Sequence, residues 1–291
     1  MDASGKIAPN KVFWVDSNYE AADKYGTFTR PFSTITAALA VCTANKGDII
    51  YVKAGHASSI SAAGSITVSV AGVSIIGLGK GTSRPTLTYS ATTSTMIVTA
   101  DNVKISNLRF VSAINDLAEF LTVTANHCLV ENCIFSTANT FEAFCFIGLT
   151  TTYDYLTVRG CRFIQPTDPA GTDDAAETGC IFLVDSEYVT IENCQFVGNF
   201  ETAIIHNRGT AAGQLWVRNC YGYNALSTAQ IYTLVEGATG GDIGGLYTNP
   251  NATDVTTAQL FGSASTKFFV ASYFGNDSGG GQGAVKITIG S

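Results

Sequence analysis

The chain has 291 residues, enough for two ordinary domains or one elongated one, and 46% of them are hydrophobic against 13% charged. That charged share is about half the usual one, so the chain reads as folded rather than disordered, and 29 glycines suit many short strands and tight turns. Its 16 basic and 23 acidic residues give a net charge of -7, with no Lys/Arg cluster to neutralise phosphates, which argues against nucleic acid as a partner.

The opening MDASGKIAPNK has no apolar run, so no Sec-type signal peptide is expected. No stretch reaches about 18 apolar residues, so no membrane partner is expected either. From Val73 onward one motif keeps returning. It reads VSIIGLGK at Val73–Lys80, VKISNLRF at Val103–Phe110, CLVENCIF at Cys128–Phe135 and LTVRGCRF at Leu156–Phe163. It continues as VTIENCQF at Val189–Phe196, LWVRNCYG at Leu215–Gly222, GDIGGLYT at Gly241–Thr248 and FFVASYFG at Phe268–Gly275, with steps of 25 to 33 residues. A period in this range marks a stacked-repeat architecture.

The physics of the unit is readable. Positions 1 and 3 are apolar and alternate with polar residues, the period of a strand with one buried face. Positions 6 and 8 are also apolar, so the inward parity breaks between 3 and 6. Asn or Gly at position 5 supplies the left-handed bend that restores it. Each unit is therefore strand, corner, strand. A third strand precedes each pair, at Met96–Ala100, Phe120–Ala125, Cys145–Thr150, Cys180–Asp185, Ala203–Asn207 and Gln230–Glu236. Stacked at roughly 4.8 Å per turn, such units form ladders of identical side chains. The asparagine ladder is Asn107, Asn132, Asn193 and Asn219; the cysteine ladder is Cys133, Cys161, Cys194 and Cys220, with Leu78, Leu108 and Leu246 in the same slot. The phenylalanine ladder is Phe110, Phe135, Phe163 and Phe196.

V-x-I-x-N-C-x-F resembles the coil signature of right-handed parallel β-helices, the pectate-lyase-like superfamily. The segment Phe13–His56 is similar to the start of such helices: Gly26, Thr27, Pro31, Phe32, Thr34 and Ile35 precede a helix expected over Thr36–Ala44, and Gly47, Asp48, Ile50, Val52 and Gly55 follow it. The resemblance implies an all-β, right-handed parallel β-helix with three strands per coil, about eight to nine coils and a short N-terminal capping helix. It divides the chain into an N-terminal segment (1–46), the β-helix (47–275) and a Gly-rich arm with a strand (276–291). That arm reads either as an addition to a neighbouring subunit's sheet edge or as a closure of the last coil.

Functional chemistry is sparse. A straight cysteine ladder lacks the converging geometry of a zinc site, so those thiols read as small buried hydrophobes, and neither a metal nor a cofactor is expected. The asparagines read as stacked amides hydrogen-bonded along the coils. His56, His127 and His206 fall in separate units with no nucleophile at a useful spacing. The loop Gln165–Gly179 carries Asp168, Asp173, Asp174 and Glu177, the one carboxylate group able to bind Ca²⁺ or drive glycoside hydrolysis. Arg159, Arg162, Arg208 and Arg218 are the basic groups available to such a site, and Trp216, Tyr221, Tyr223, Tyr232 and Tyr247 are outward aromatics suited to a surface glycan or a subunit contact. The enzymes of this fold carry an Asp cluster with a nearby Arg, or N-T-D, D-D and R-I-K segments; only Asp173-Asp174 matches here. The chain also resembles the β-helices of bacteriophage tail-spike and capsid decoration proteins, and with no recognisable catalytic set that resemblance implies a non-enzymatic structural protein of a phage particle, capsid decoration or spike-like. It would be a homotrimer on the virion surface, assembled in the host cytoplasm against capsid or tail proteins. The alternative is a polysaccharide lyase or glycoside hydrolase of the same fold.

Overall fold

The computed structural model describes residues 10–137, 141–166, 179–200, 203–207, 213–224, 230–233, 239–248 and 266–272, with the backbone alone at 207, 213, 224, 230–233, 239–248 and 266–272. The chain winds as a parallel β-solenoid with three walls. Wall one runs through Val12–Val15, Ile49–Val52, Ser74–Gly77, Lys104–Ser106, Leu129–Glu131, Thr157–Arg159, Thr190–Glu192 and the first part of Gly213–Asn224. Wall two stacks Ala57–Ile60, Thr86–Tyr89, Arg109–Ser112, Ile134–Thr137, Arg162–Ile164, Gln195–Gly198 and the second part of Gly213–Asn224. Wall three stacks Ala63–Val68, Thr95–Val98, Leu121–Val123, Cys145–Leu149, Gly179–Leu183, Ala203–Asn207 and Gln230–Thr233.

Register makes the ladders real. Val130 lies opposite Ile105 and Val158, and Phe135 opposite Phe110 and Phe163, so equivalent positions of successive units do sit above one another. The corner between walls one and two works as the spacing predicts. Asn107, Asn132, Gly160, Asn193 and Asn219 all take φ between 49° and 62°, the left-handed region that Asn and Gly tolerate best. At this corner Asn107, Asn132, Gly160 and Asn193 donate their N–H forward to Glu131, Arg159, Glu192 and Arg218 O, at 2.8–3.1 Å. Beyond the corner the first wall-two residue donates back, as from Arg162 N to Cys133 O (2.9 Å). A second left-handed column lies one residue before each unit, at Gly72, Asn102, His127, Tyr155, Tyr188 and Gln214.

The core between the walls is aromatic. Phe110, Phe135, Phe163 and Phe196 stack with centroids 4.5, 5.1 and 5.0 Å apart and planes within 8°. A second column, Phe120 and Phe146, stacks 5.2 Å apart at 14° and meets the first edge-on. Tyr89 is fully buried and donates its hydroxyl to Phe120 O at 2.7 Å, which satisfies the one polar atom it brings inside.

Several expectations need correction. The helix is Ile35–Leu39 rather than Thr36–Ala44: Thr34 Oγ1 accepts the Ala37 N–H as N-cap, and after Ala40 the chain tightens into three-residue turns. Ile35, Ala38 and Leu39 are buried in the core. Leu78 does not share the cysteine slot, because a turn at Gly81–Ser83 intervenes and Pro85 is the residue that precedes the wall-two strand Thr86–Tyr89. Gly77 does not bend left-handed but lies within a strand. In the unit from Gly241 the register slips, so that Gly245 rather than Leu246 lies opposite Cys220.

Candidate functional site

Wall one presents two outward columns, and one of them changes character along the axis. Near the N-terminus it is apolar, with Trp14 beside Tyr51 (5.0 Å) and Phe28 (4.9 Å, edge-on); Lys53 sits over the Phe28 ring at 4.6 Å. Further along it becomes Glu131, Arg159, Glu192 and Arg218, each opposite the next in register. Lys104 and Arg159 both pair with Glu131, the latter at 2.8 Å, and Arg159 reaches Glu192 at 3.6 Å. Burial alone would raise the Glu131 carboxyl, but the hydrogen bonds from Lys104 and Arg159 outweigh it and hold it below the usual Glu range. A carboxylate held down this way is a poor proton donor or acceptor near neutrality.

Wall three carries a register-locked outward column: Thr67, Ile97, Thr122, Gly148, Phe182 and His206. Thr67 is exposed, whereas Thr122, Phe182 and His206 are buried, so this face is increasingly covered along the axis. Thr95 and Thr122 hydroxyls lie 3.1 Å apart, and Thr122 donates to Glu119. Gly148 makes room for that carboxylate, since a Cβ there would collide with Glu119 Oε1. His206 meets the Phe182 ring edge-on at 5.6 Å. Asp168, Asp173, Asp174 and Glu177 lie outside the described residues, on the connection from Arg162–Ile164 in wall two to Gly179–Leu183 in wall three. Among the described residues no group of three or more His, Cys, Asp or Glu side chains is arranged to hold a metal ion.

The ladders are structural in their contacts. Cys133, Cys161, Cys194 and Cys220 are buried and form no disulfide, and each thiol faces main-chain carbonyls of its own and the preceding coil at 3.3–4.0 Å. Burial pushes Cys128 up to about 11 and holds Cys161 and Cys180 well above an ordinary thiol. Half-buried Cys42 also rises to about 11, first through burial and then through Asp48. We therefore expect a thiol-specific chromogenic reagent to label the native protein slowly and at Cys42 alone, and all eight cysteines after denaturation. Rapid native labelling of several thiols would contradict the buried ladder.

The asparagine ladder is less continuous than the repeat suggests. Asn219 Nδ2 donates to Asn193 Oδ1 at 2.6 Å, but Asn107 donates to the Gly77 and Gly79 carbonyls, and Gly160 interrupts the column. Arg162 donates to Gln195 Oε1 at 3.0 Å, so it too bridges coils. Arg208 and the Tyr232 and Tyr247 side chains lie outside what is described; Trp216, Tyr221 and Tyr223 are half-buried. Sequence reasoning missed an aromatic column at the second left-handed corner: His127 stacks on Tyr155 (4.4 Å, 13°), Tyr155 on Tyr188 (4.7 Å, 3°), and Trp216 follows at 6.3 Å. Tyr155 thus lies between the parallel rings of His127 and Tyr188.

Comparison with known proteins bears on the fold. A family model described as "Right handed beta helix region" matches residues 92–232. Among solved structures, a rhamnogalacturonan lyase matches with TM-score 0.54 and 14% identity, over 82% of this chain and 74% of that one. The pectate lyase Pel9A matches with TM-score 0.58 and 13% identity, over 95% of this chain and 82% of that one. A search of curated proteins found no match.

Proposed function

For a chain that has the right-handed parallel β-helix fold of the pectate-lyase-like superfamily, we propose a non-enzymatic structural role on the surface of a bacteriophage particle, as a capsid-decorating or spike-like homotrimer. The observation that carries this reading is the charge column of wall one. Lys104, Glu131, Arg159 and Glu192 are engaged in pairing from coil to coil, an arrangement that stiffens a rod and leaves little basic or acidic chemistry for a substrate. Each such exposed pair contributes only about 0–1 kcal/mol, so the column acts as a network that fixes register. Light scattering on a size-exclusion column should give about three times the 30.6 kDa chain mass. A monomer would remove the spike or decoration reading.

A second reading is a carbohydrate-active enzyme, a lyase or hydrolase. Two observations favour it: a rhamnogalacturonan lyase and a pectate lyase are similar folds, and the loop bearing Asp168, Asp173, Asp174 and Glu177 leads into wall three, where Glu119 and Thr122 face outward. Incubation with rhamnogalacturonan and pectate, with and without Ca²⁺, separates the two. New unsaturated or reducing ends, lost in D173N/D174N, would establish the enzyme; unchanged polymer would support the structural role.

A further inference from the structure

The first coil holds a buried titratable side chain that none of the ladders uses. His56 is 1% exposed and stands immediately before Ala57, at the corner position that Leu108 and Cys133 occupy in later coils. Its Nδ1 accepts the backbone N–H of Ser17 at 3.0 Å. A main-chain N–H can only donate, so Nδ1 is bare and the ring proton is on Nε2, which has no hydrogen-bond partner among the described residues. The contact is reciprocated: Ala57 N–H donates to Ser17 Oγ at 2.9 Å. Ser17 lies two residues beyond Val12–Val15, the outermost strand of wall one, and the intervening Asp16 N–H is held by Phe32 O at 2.8 Å. Ser17 and His56 thus fasten the N-terminal segment to the first coil across 39 residues of sequence.

We propose that the Ser17–His56 pair is an acid-sensitive clasp, in which protonation of His56 frees the turn at Ser17 from the first coil. The proton adds to the Nδ1 lone pair, the acceptor becomes a second N–H, and two donors then face each other at a distance made for a hydrogen bond. Neither can turn away without moving backbone, because the ring is enclosed and Ser17 is held on both sides. Burial lowers the His56 pKa below its ordinary value, and the nearby Asp16 carboxylate opposes this only in part, being itself paired with Lys53 at 3.6 Å. A depressed histidine pKa means that the neutral form is the folded one. The clasp therefore contributes in full above the ordinary histidine pKa of about 6.5 and is lost as pH falls through the lower folded value.

The test is hydrogen exchange of the full chain at about pH 7.5 and about pH 5, with protection corrected for the intrinsic pH dependence of exchange. Protection of the Ser17 and Ala57 amides should fall severalfold at the lower pH, while the wall-two rungs keep theirs. In His56→Asn, which keeps an acceptor near Nδ1 but does not titrate, protection should stay level. Unchanged wild-type protection, or an equal loss in His56→Asn, would overturn the clasp. Should His56→Asn fail to fold, the histidine ring resonances of the wild type decide. Titration of His56 together with Ser17 exchange supports the clasp, and titration near 6.5 with Ser17 still protected overturns it.

Discussion

Replacing Phe135 by alanine should lower the free energy of unfolding by about 3–5 kcal/mol, close to the upper end for any single core side chain. Phe135 is fully buried between Phe110 and Phe163, whose rings lie parallel to it at 4.5 and 5.1 Å, and it meets Phe120 and Phe146 edge-on. Removing it strips contact from four aromatic neighbours at once. The cavity has little room to collapse, since the walls around it are held at the rung spacing by parallel hydrogen bonds on either side. Denaturant unfolding with the slope held at the wild-type value would measure the loss, and Phe135→Leu should recover about half of it. A loss under about 1 kcal/mol would mean that the ring stack is not the packed interior described.

Gly77→Ala should be comparably severe, at more than about 3 kcal/mol, for a different reason. Gly77 sits in an ordinary strand conformation, so backbone freedom is not at issue. A single methyl there would collide with Asn107 O and lie 2.9 Å from Leu108 Cδ2, pressing one coil into the next at main-chain atoms that cannot rotate aside. Gly81→Ala supplies the comparison. Gly81 has φ of 56° but nothing within 4 Å of an added Cβ, so only the left-handed penalty of about 1–2 kcal/mol applies. Equal losses at the two sites, read from thermal midpoints, would show that close approach of coils is not what selects glycine at 77.

The fold was legible in the sequence where one residue type does one job. Asn at position 5 marked the corner because few other residues tolerate φ near 55°, and Phe at position 8 marked the core because successive rings must stack at coil spacing. The second left-handed column was invisible: Asn102, His127, Tyr155 and Gln214 share a conformation but no chemistry, since the main-chain bonds to the neighbouring coil impose it. Phe120 and Phe146 escaped notice because connections of unequal length put them at no constant distance from the repeat. The outward column of wall three was hidden for the same reason, and Gly148 beside Glu119 leaves no pattern in a single sequence. The Glu131–Arg159–Glu192–Arg218 alternation was present at position 4 of consecutive units, and only the register shows these residues to be neighbours.

That alternation gives the stack a parity. Every coil between Glu131 and Arg218 carries the sign opposite to both of its neighbours. Excising the unit that begins at Leu156 would set Glu131 against Glu192, like charges directly opposite on adjacent strands, whereas excising it together with the unit from Val189 would bring Glu131 to Arg218 and leave the sequence of signs intact. Growth or loss of this solenoid by duplication is therefore tolerated most readily two turns at a time, in the way that a chain of magnets accepts only an even number of reversed links.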